Sequence, residues 1–222
     1  MKILLFCGDE YHPGHIPTEG LKSLNCELEI INVIPEDFVP DFFDYSVIIM
    51  SKSDHISETN LNSWKTPEIQ EAIIKFVENG GGLLVTHSGL VSSPNTKRLD
   101  EFIGSRFSFH PSQSPIYVET LKPHPVVPEA LFFREEDEHY ALEILSGDID
   151  IFLASYSATI GDLEKINEDS YNNSPAKLAT AGYSLKRGKG RVVVLTPGHN
   201  LAVWRNQNYQ KILRQALNWL RA

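Results

Sequence analysis

The sequence predicts an α/β protein on a mostly parallel sheet. Three observations carry that expectation. Strand-like runs alternate with helical stretches along the chain, the pattern of crossover units. Several of the runs are near-continuously apolar, as in strands buried on both faces. Histidines follow the apolar runs, where a parallel sheet places its ligand crevice beyond the carboxyl ends of the strands. The 222 residues, 41% of them apolar, are enough for a sizeable core and are read as one domain over 1–222.

The first run, 2–6, leads into Gly8-Asp-Glu-Tyr-His12-Pro-Gly-His15. Runs at 27–33 and 45–50 follow, the latter leading to Asp54-His55. A helix is expected over 67–79. Thr66 caps it, Pro67 suits its first turn and Gly80 stops it. Ile69, Ala72, Ile73, Phe76 and Val77 form its apolar stripe. The run 82–86 leads into His87-Ser88-Gly89. A short helix around 95–103 ends at Gly104. Residues 105–149 hold five prolines and read as short strands and loops inserted near the active edge. A run at 150–156 precedes a polar loop, 160–176, read as exposed. Runs at 178–184 and 190–196 follow, the second leading to Pro197-Gly-His199-Asn200. A last helix, about 207–221, turns Ile212, Leu213, Ala216, Leu217 and Leu220 to one side.

The net charge of -9 argues against nucleic acid as a partner, which needs a basic face. Two cysteines make no disulfide framework and fit a reducing, cytoplasmic setting. No stretch approaches the length of a membrane span, and the N-terminus reads as a strand, not as a leader. A homo-oligomer is compatible with the sequence.

Imidazole suits both proton transfer near neutral pH and metal ligation, so the strand-end histidines lead the candidates. The stretch Gly80 to Leu90 has the strand-and-sharp-turn context of a nucleophile elbow, with His87 at the turn and Gly89 two residues on. His87 and His199 are candidate catalytic groups, with Glu138 from the acidic run Phe133–Tyr140 beside them. Asp9, His12, His15, Ser88, Asn200 and Trp204 are candidate substrate contacts. A catalytic zinc site takes about three protein ligands and keeps a position open. His12, His87 and His199 could supply them, so a divalent metal such as zinc is the candidate cofactor. Without one, the same imidazoles could perform acid–base chemistry. Asp54-His55 ranks below these. His110 and His124, in the proline-rich middle, read as structural or exposed. Cys7 reads as a small buried residue.

Taken together, several pieces resemble the trehalose-utilisation (ThuA-like) family. They are the opening strand with Asp9 to Pro13, the run Gly80-Gly-Gly-Leu-Leu-Val-Thr-His87, and His124-Pro125 followed by Asp137-Glu138-His-Tyr140. The last is Gly188-Lys-Gly-Arg191 through Gly198-His199 to Trp204. The resemblance implies a flavodoxin-like three-layer fold, similar to the class I glutamine amidotransferases, and a carbohydrate as small-molecule ligand. Amidotransferases of that fold carry a cysteine at the elbow, where this chain has His87, so glutamine hydrolysis is not expected. An enzyme acting on a sugar or small polyol is the first reading. A sugar-binding module walled by Tyr11, Trp64 and Trp204 is the alternative.

Overall fold

The computed structural model describes residues 2–24, 27–35, 38, 40–157 and 179–222. The loop expected over 160–176 lies outside the described residues. The strands at the centre are β1 (Lys2–Cys7), β2 (Glu27–Ile31), β3 (Val47–Ser51), β4 (Gly82–Thr86) and β11 (Gly190–Leu195). They pair in parallel in the order β2-β1-β3-β4-β11, the flavodoxin-like arrangement. Alternation along β1 splits the core. Ile3, Leu5 and Cys7 join the cluster on one side of the sheet, and Leu4 and Phe6 the cluster on the other.

Helices cover both faces, giving three layers. On one side lie α2 (Pro67–Glu78) and α3 (Lys97–Ile103), burying Ile69, Ile73 and Leu99 against Leu4 and Phe6. The Thr66 hydroxyl accepts from the Ile69 N–H at 3.4 Å, and Pro67 opens the first turn, as the sequence predicts. On the other side lie α1 (His15–Leu21), α4 (Leu201–Arg205) and α5 (Gln207–Leu220). The α5 residues Ile212, Leu213, Ala216, Leu217 and Leu220 bury against Ile3 and Leu5. Short α1 has no apolar stripe in sequence and is found only in the structure.

The middle of the chain holds the expected short strands and reaches the active edge, but two of its strands extend the main sheet instead of forming an insertion. Beyond β11 the sheet continues antiparallel through β10 (Ala179–Arg187), β9 (Asp150–Ser157), β6 (Ser114–Thr120) and β7 (Phe132–Asp137). Here β6 and β7 extend the main sheet. Two others, β5 (Ser105–Phe109) and β8 (Ala141–Ile144), form a separate two-stranded ribbon. On a flat sheet, β7 would stand about 19 Å from β11, four spacings of about 4.8 Å. Yet the Asp137 carboxylate at the end of β7 accepts from the Gly198 N–H just beyond β11 at 2.8 Å. The antiparallel half therefore curls back over α4 and α5, where Phe133 packs against Tyr209. Among the described residues, no helix is long and apolar enough to cross a membrane.

Candidate metal centre

The turn after β4 is built around His87. Its φ is +43°, the one positive value among the described non-glycine residues, which costs of order 1 kcal/mol. Close packing holds it there. A Cβ on Gly89 would fall 2.2 Å from the Met50 carbonyl oxygen on β3, so only glycine lets the turn sit against the neighbouring strand. The buried Lys65 ammonium donates to the carbonyls of Gly89 and Val91 at 3.2 and 3.0 Å. Tyr140 stacks on the imidazole, centroids 4.1 Å apart.

Three more side chains meet His87 at the carboxyl edge. His12 comes from the loop after β1, His199 from the loop after β11 and Glu138 from the end of β7. Each of the four offers a ligand atom, and these atoms lie within 4.8 Å of one another. Glu138 Oε2 is the hub. It lies 3.2 Å from His87 Nε2, 3.2 Å from His199 Nδ1 and 4.0 Å from His12 Nε2.

The far sides of two rings are anchored. Asp9 Oδ1 lies 2.7 Å from His12 Nδ1 and also accepts from the backbone N–H groups of Tyr11 and His12. Asp9 Oδ2 accepts from the Ser53 N–H. The Thr196 carbonyl takes His87 Nδ1–H at 2.8 Å. This is how metal-binding imidazoles are commonly oriented, one nitrogen held by a carboxylate or carbonyl and the other turned inward. His199 is placed through its backbone, since Asp137 accepts from the N–H groups of Gly198 and His199. Trp204 Nε1–H donates to the Gly198 carbonyl beneath the same loop.

The charges do not balance without a cation. Burial pushes the His87 imidazole below its ordinary range, outweighing the pull of Glu138. Its Nδ1–H is spent on Thr196, so Nε2 turns a lone pair toward Glu138 Oε2. Burial would raise Glu138, but the His12, His199 and His87 imidazoles gathered around it outweigh that and hold the carboxyl far below the usual range. A lone pair facing a carboxylate at 3.2 Å repels unless a positive charge lies between. His12 Nε2 and His199 Nδ1 are also buried without a hydrogen-bond partner. Zinc bonds N and O ligands at about 2.0–2.2 Å, which puts tetrahedral neighbours about 3.4 Å apart. Contraction of the four by roughly 1 Å meets that need.

Without a metal, the cation is the proton on His12. Burial would lower this imidazole, but the hydrogen bond to Asp9 and the nearby Glu138 carboxylate prevail and lift it to about 9. A group raised in the folded state stabilises fully below its unfolded value, near 6.5, and loses that contribution as pH rises through the folded value. Metal-free protein is therefore expected to lose of order 2 kcal/mol of stability between pH 6.5 and 8. Above that window Lys52, pushed by burial down to about 8, works in the opposite direction. Thermal melts of chelated protein across that range check this, and His12→Gln is expected to flatten the slope.

The remaining candidates fall in different places. Asp9 reaches the centre only through His12. Ser88 is buried beside His87, its hydroxyl without a partner. Asn200 sits at the rim, donating to Gln113 and the Glu136 carbonyl. His15 lines a separate cavity beside the His12 loop. Trp204 is fully buried, which corrects its assignment as a substrate contact or wall. Trp64 is buried likewise, stacked on Phe6, and of the three proposed aromatic walls only Tyr11 is open to solvent. Cys7 lies at the end of β1, buried, its thiol pushed up to about 11 by burial.

Sequence reasoning missed His110. Its Nε2 lies 3.4 Å from Glu138 Oε2, its Nδ1 donates to the Pro111 carbonyl, and its ring parallels Tyr140. One third exposed, it is the solvent-side imidazole of the group. The signal was its position directly after Ser105–Phe109, one more histidine at a strand end. His124, by contrast, is structural, buried between the Val126 N–H and the Ser184 hydroxyl.

The family model for ThuA, described as trehalose utilisation, matches residues 40–220. Among solved structures, a ThuA-like protein from Bacteroides uniformis superposes with a TM-score of 0.70 at 19% identity. It covers 99% of this chain and 91% of its own. A ThuA-like protein from Parabacteroides merdae gives the same TM-score and identity over 100% and 90%. A cytoplasmic protein from Salmonella typhimurium LT2 gives 0.67 at 15% identity over the whole of both chains. These likenesses show the fold. No curated protein matches the chain. The match over most of the length shows that the chain belongs to the ThuA trehalose-utilisation family.

Proposed function

We propose that this protein is a metal-dependent enzyme of carbohydrate metabolism, acting on a sugar or small polyol in the cytoplasm. Zinc is the ion that best suits three imidazoles and a carboxylate. His12, His87, His199 and Glu138 would hold it. The observation that carries the reading is the convergence of the four ligand atoms within 4.8 Å, with the rear nitrogens of His12 and His87 anchored by Asp9 and Thr196. A divalent ion there would supply a Lewis acid to a sugar oxygen, which four protein ligands allow only by expansion of the site to a fifth position.

The chain's own residues supply the rest. Asp9 and Thr196 fix the tautomers of His12 and His87. Asp137 holds the His199 loop. His110, at the solvent side, is placed to exchange a proton with a sugar oxygen near Glu138. Hydrolysis, elimination and isomerisation of a sugar all need such a polarised oxygen and a proton-transfer group. The family's link to trehalose supports a sugar as the substrate class. Burial of Trp64 and Trp204 counts against the binding-module reading, which needs those rings for stacking.

The test is metal content by elemental mass spectrometry on protein purified without chelators, with sugar turnover measured before and after chelation. About one ion per chain and chelator-sensitive turnover of trehalose or a related glycoside are expected. A metal-free protein whose turnover ignores chelator would overturn the reading. Asp9→Asn, which keeps the size but weakens the grip on His12 Nδ1, is expected to lower zinc affinity about 10–100-fold. Competition with a chromophoric chelator measures it.

A further inference from the structure

A second cavity adjoins the centre and is unused by the chemistry above. Its volume is about 380 Å³, within the range of small-molecule sites. Gly8 after β1 lines it, Asn32 and Val33 follow β2, and Ser57, Glu58 and Thr59 come from the loop after β3. Here β1 has β2 on one side and β3 on the other, the topological switch point where open α/β sheets bind ligands. One loop serves both places. Asp9 and His12 turn into the metal centre, while Pro13, Gly14 and His15 line the cavity.

The lining is built to present one amide. Asn32 Oδ1 accepts from the Cys7 thiol at 2.9 Å. A Cβ on Gly14 would meet that oxygen at 2.4 Å, so glycine lets the loop close on it. The Lys52 ammonium donates to the Asn32 carbonyl at 2.8 Å and also to that of Gly8, tying the two strand ends together. With Oδ1 occupied, Nδ2 is left to donate into the cavity. His15, Ser57, Glu58 and Thr59 line the same space. Among the described residues no arginine or lysine lines the space, and Lys52 is spent on backbone carbonyls. Such a set suits neutral hydroxyl groups and disfavours phosphates and carboxylates.

We infer that this cavity is a subsite for the second ring of a neutral disaccharide whose first ring lies at the metal centre. The inference rests on the proposed function and sharpens its substrate class from a sugar to a glycoside of at least two units. The two rings would straddle the His12–Gly14 segment, with Asn32 Nδ2 and the Ser57–Thr59 hydroxyls holding the ring remote from the metal.

Calorimetric titration of the zinc-loaded full chain with glucose, trehalose, maltose and cellobiose tests it. At least one disaccharide is expected to bind about tenfold tighter than glucose, the worth of one or two extra hydrogen bonds. Asn32→Leu, and independently Val33→Trp, which fills the cavity from an exposed position, are expected to erase that preference. Zinc stoichiometry and glucose affinity should stay unchanged in both. Equal affinity for all four sugars, no sugar binding, or an undiminished preference in a folded Val33→Trp overturns the subsite. Zinc content and glucose binding report separately on the metal reading, so the two can fail independently.

Discussion

His87→Ala is expected to leave a folded protein that no longer retains zinc. Loss of a partner behind a ligand costs about 10–100-fold in metal affinity, and loss of the ligand itself should exceed that. His87 is also the ring whose lone pair meets Glu138 at 3.2 Å, so its removal relieves the acceptor–acceptor conflict that calls for a cation. His199→Ala should behave alike, because its Nδ1 faces the same Glu138 oxygen at 3.2 Å. His110→Asn should keep the metal while turnover falls by about 10²-fold or more, the usual contribution of a proton-transfer group. Metal analysis of the three variants separates the roles. Full zinc occupancy in His87→Ala would remove that residue from the ligand set.

Gly89→Ala is expected to be the most damaging single methyl in the described chain around the site. The added carbon would lie 2.2 Å from the Met50 oxygen and 2.8 Å from its carbonyl carbon, both backbone atoms of a central strand that cannot rotate away. Overpacking costs about 1–3 kcal/mol, and more when backbone must move. For a chain of this size each kcal/mol is worth about 2–4 °C, so a fall in Tm of about 6–12 °C is expected at the upper figure. The turn that carries His87 must shift as well, so zinc affinity should drop with it. A thermal melt within a degree of the parent would show that β3 and the turn have room that the geometry denies.

The parallel half was legible because its strands are apolar on both faces and its helices carry caps. Thr66 and Pro67 mark one helix start, and Gly104 in the left-handed region marks another's end. His87 was legible for a related reason, since a glycine three residues past a buried strand signals a tight turn. The antiparallel half was not. β6 and β7 are half-buried and interrupted by Pro115 and by charged residues, so alternation there is masked. Asp137 and Glu138 could both be named from their acidic run as carboxylates entering the site, but nothing in that run showed that Asp137 holds the backbone of the His199 loop while Glu138 reaches the imidazoles. Trp204 misled because an aromatic beside a histidine loop reads equally well as a wall or as support, and only packing against Gly20 and Tyr209 decides it.

The return of β7 onto the loop after β11 makes the Asp137 contact a clasp between two halves of one sheet. Strands four places apart in space are joined end to end through a buried carboxylate and two amides. Opening either half exposes that carboxylate and dissolves the ligand set in the same step. The amides of β7 and of residues 198–199 should then exchange with deuterium as one cooperative unit. Zinc, which Glu138 on one side of the clasp and His87 and His12 on the other would hold, is expected to slow that exchange together across both halves.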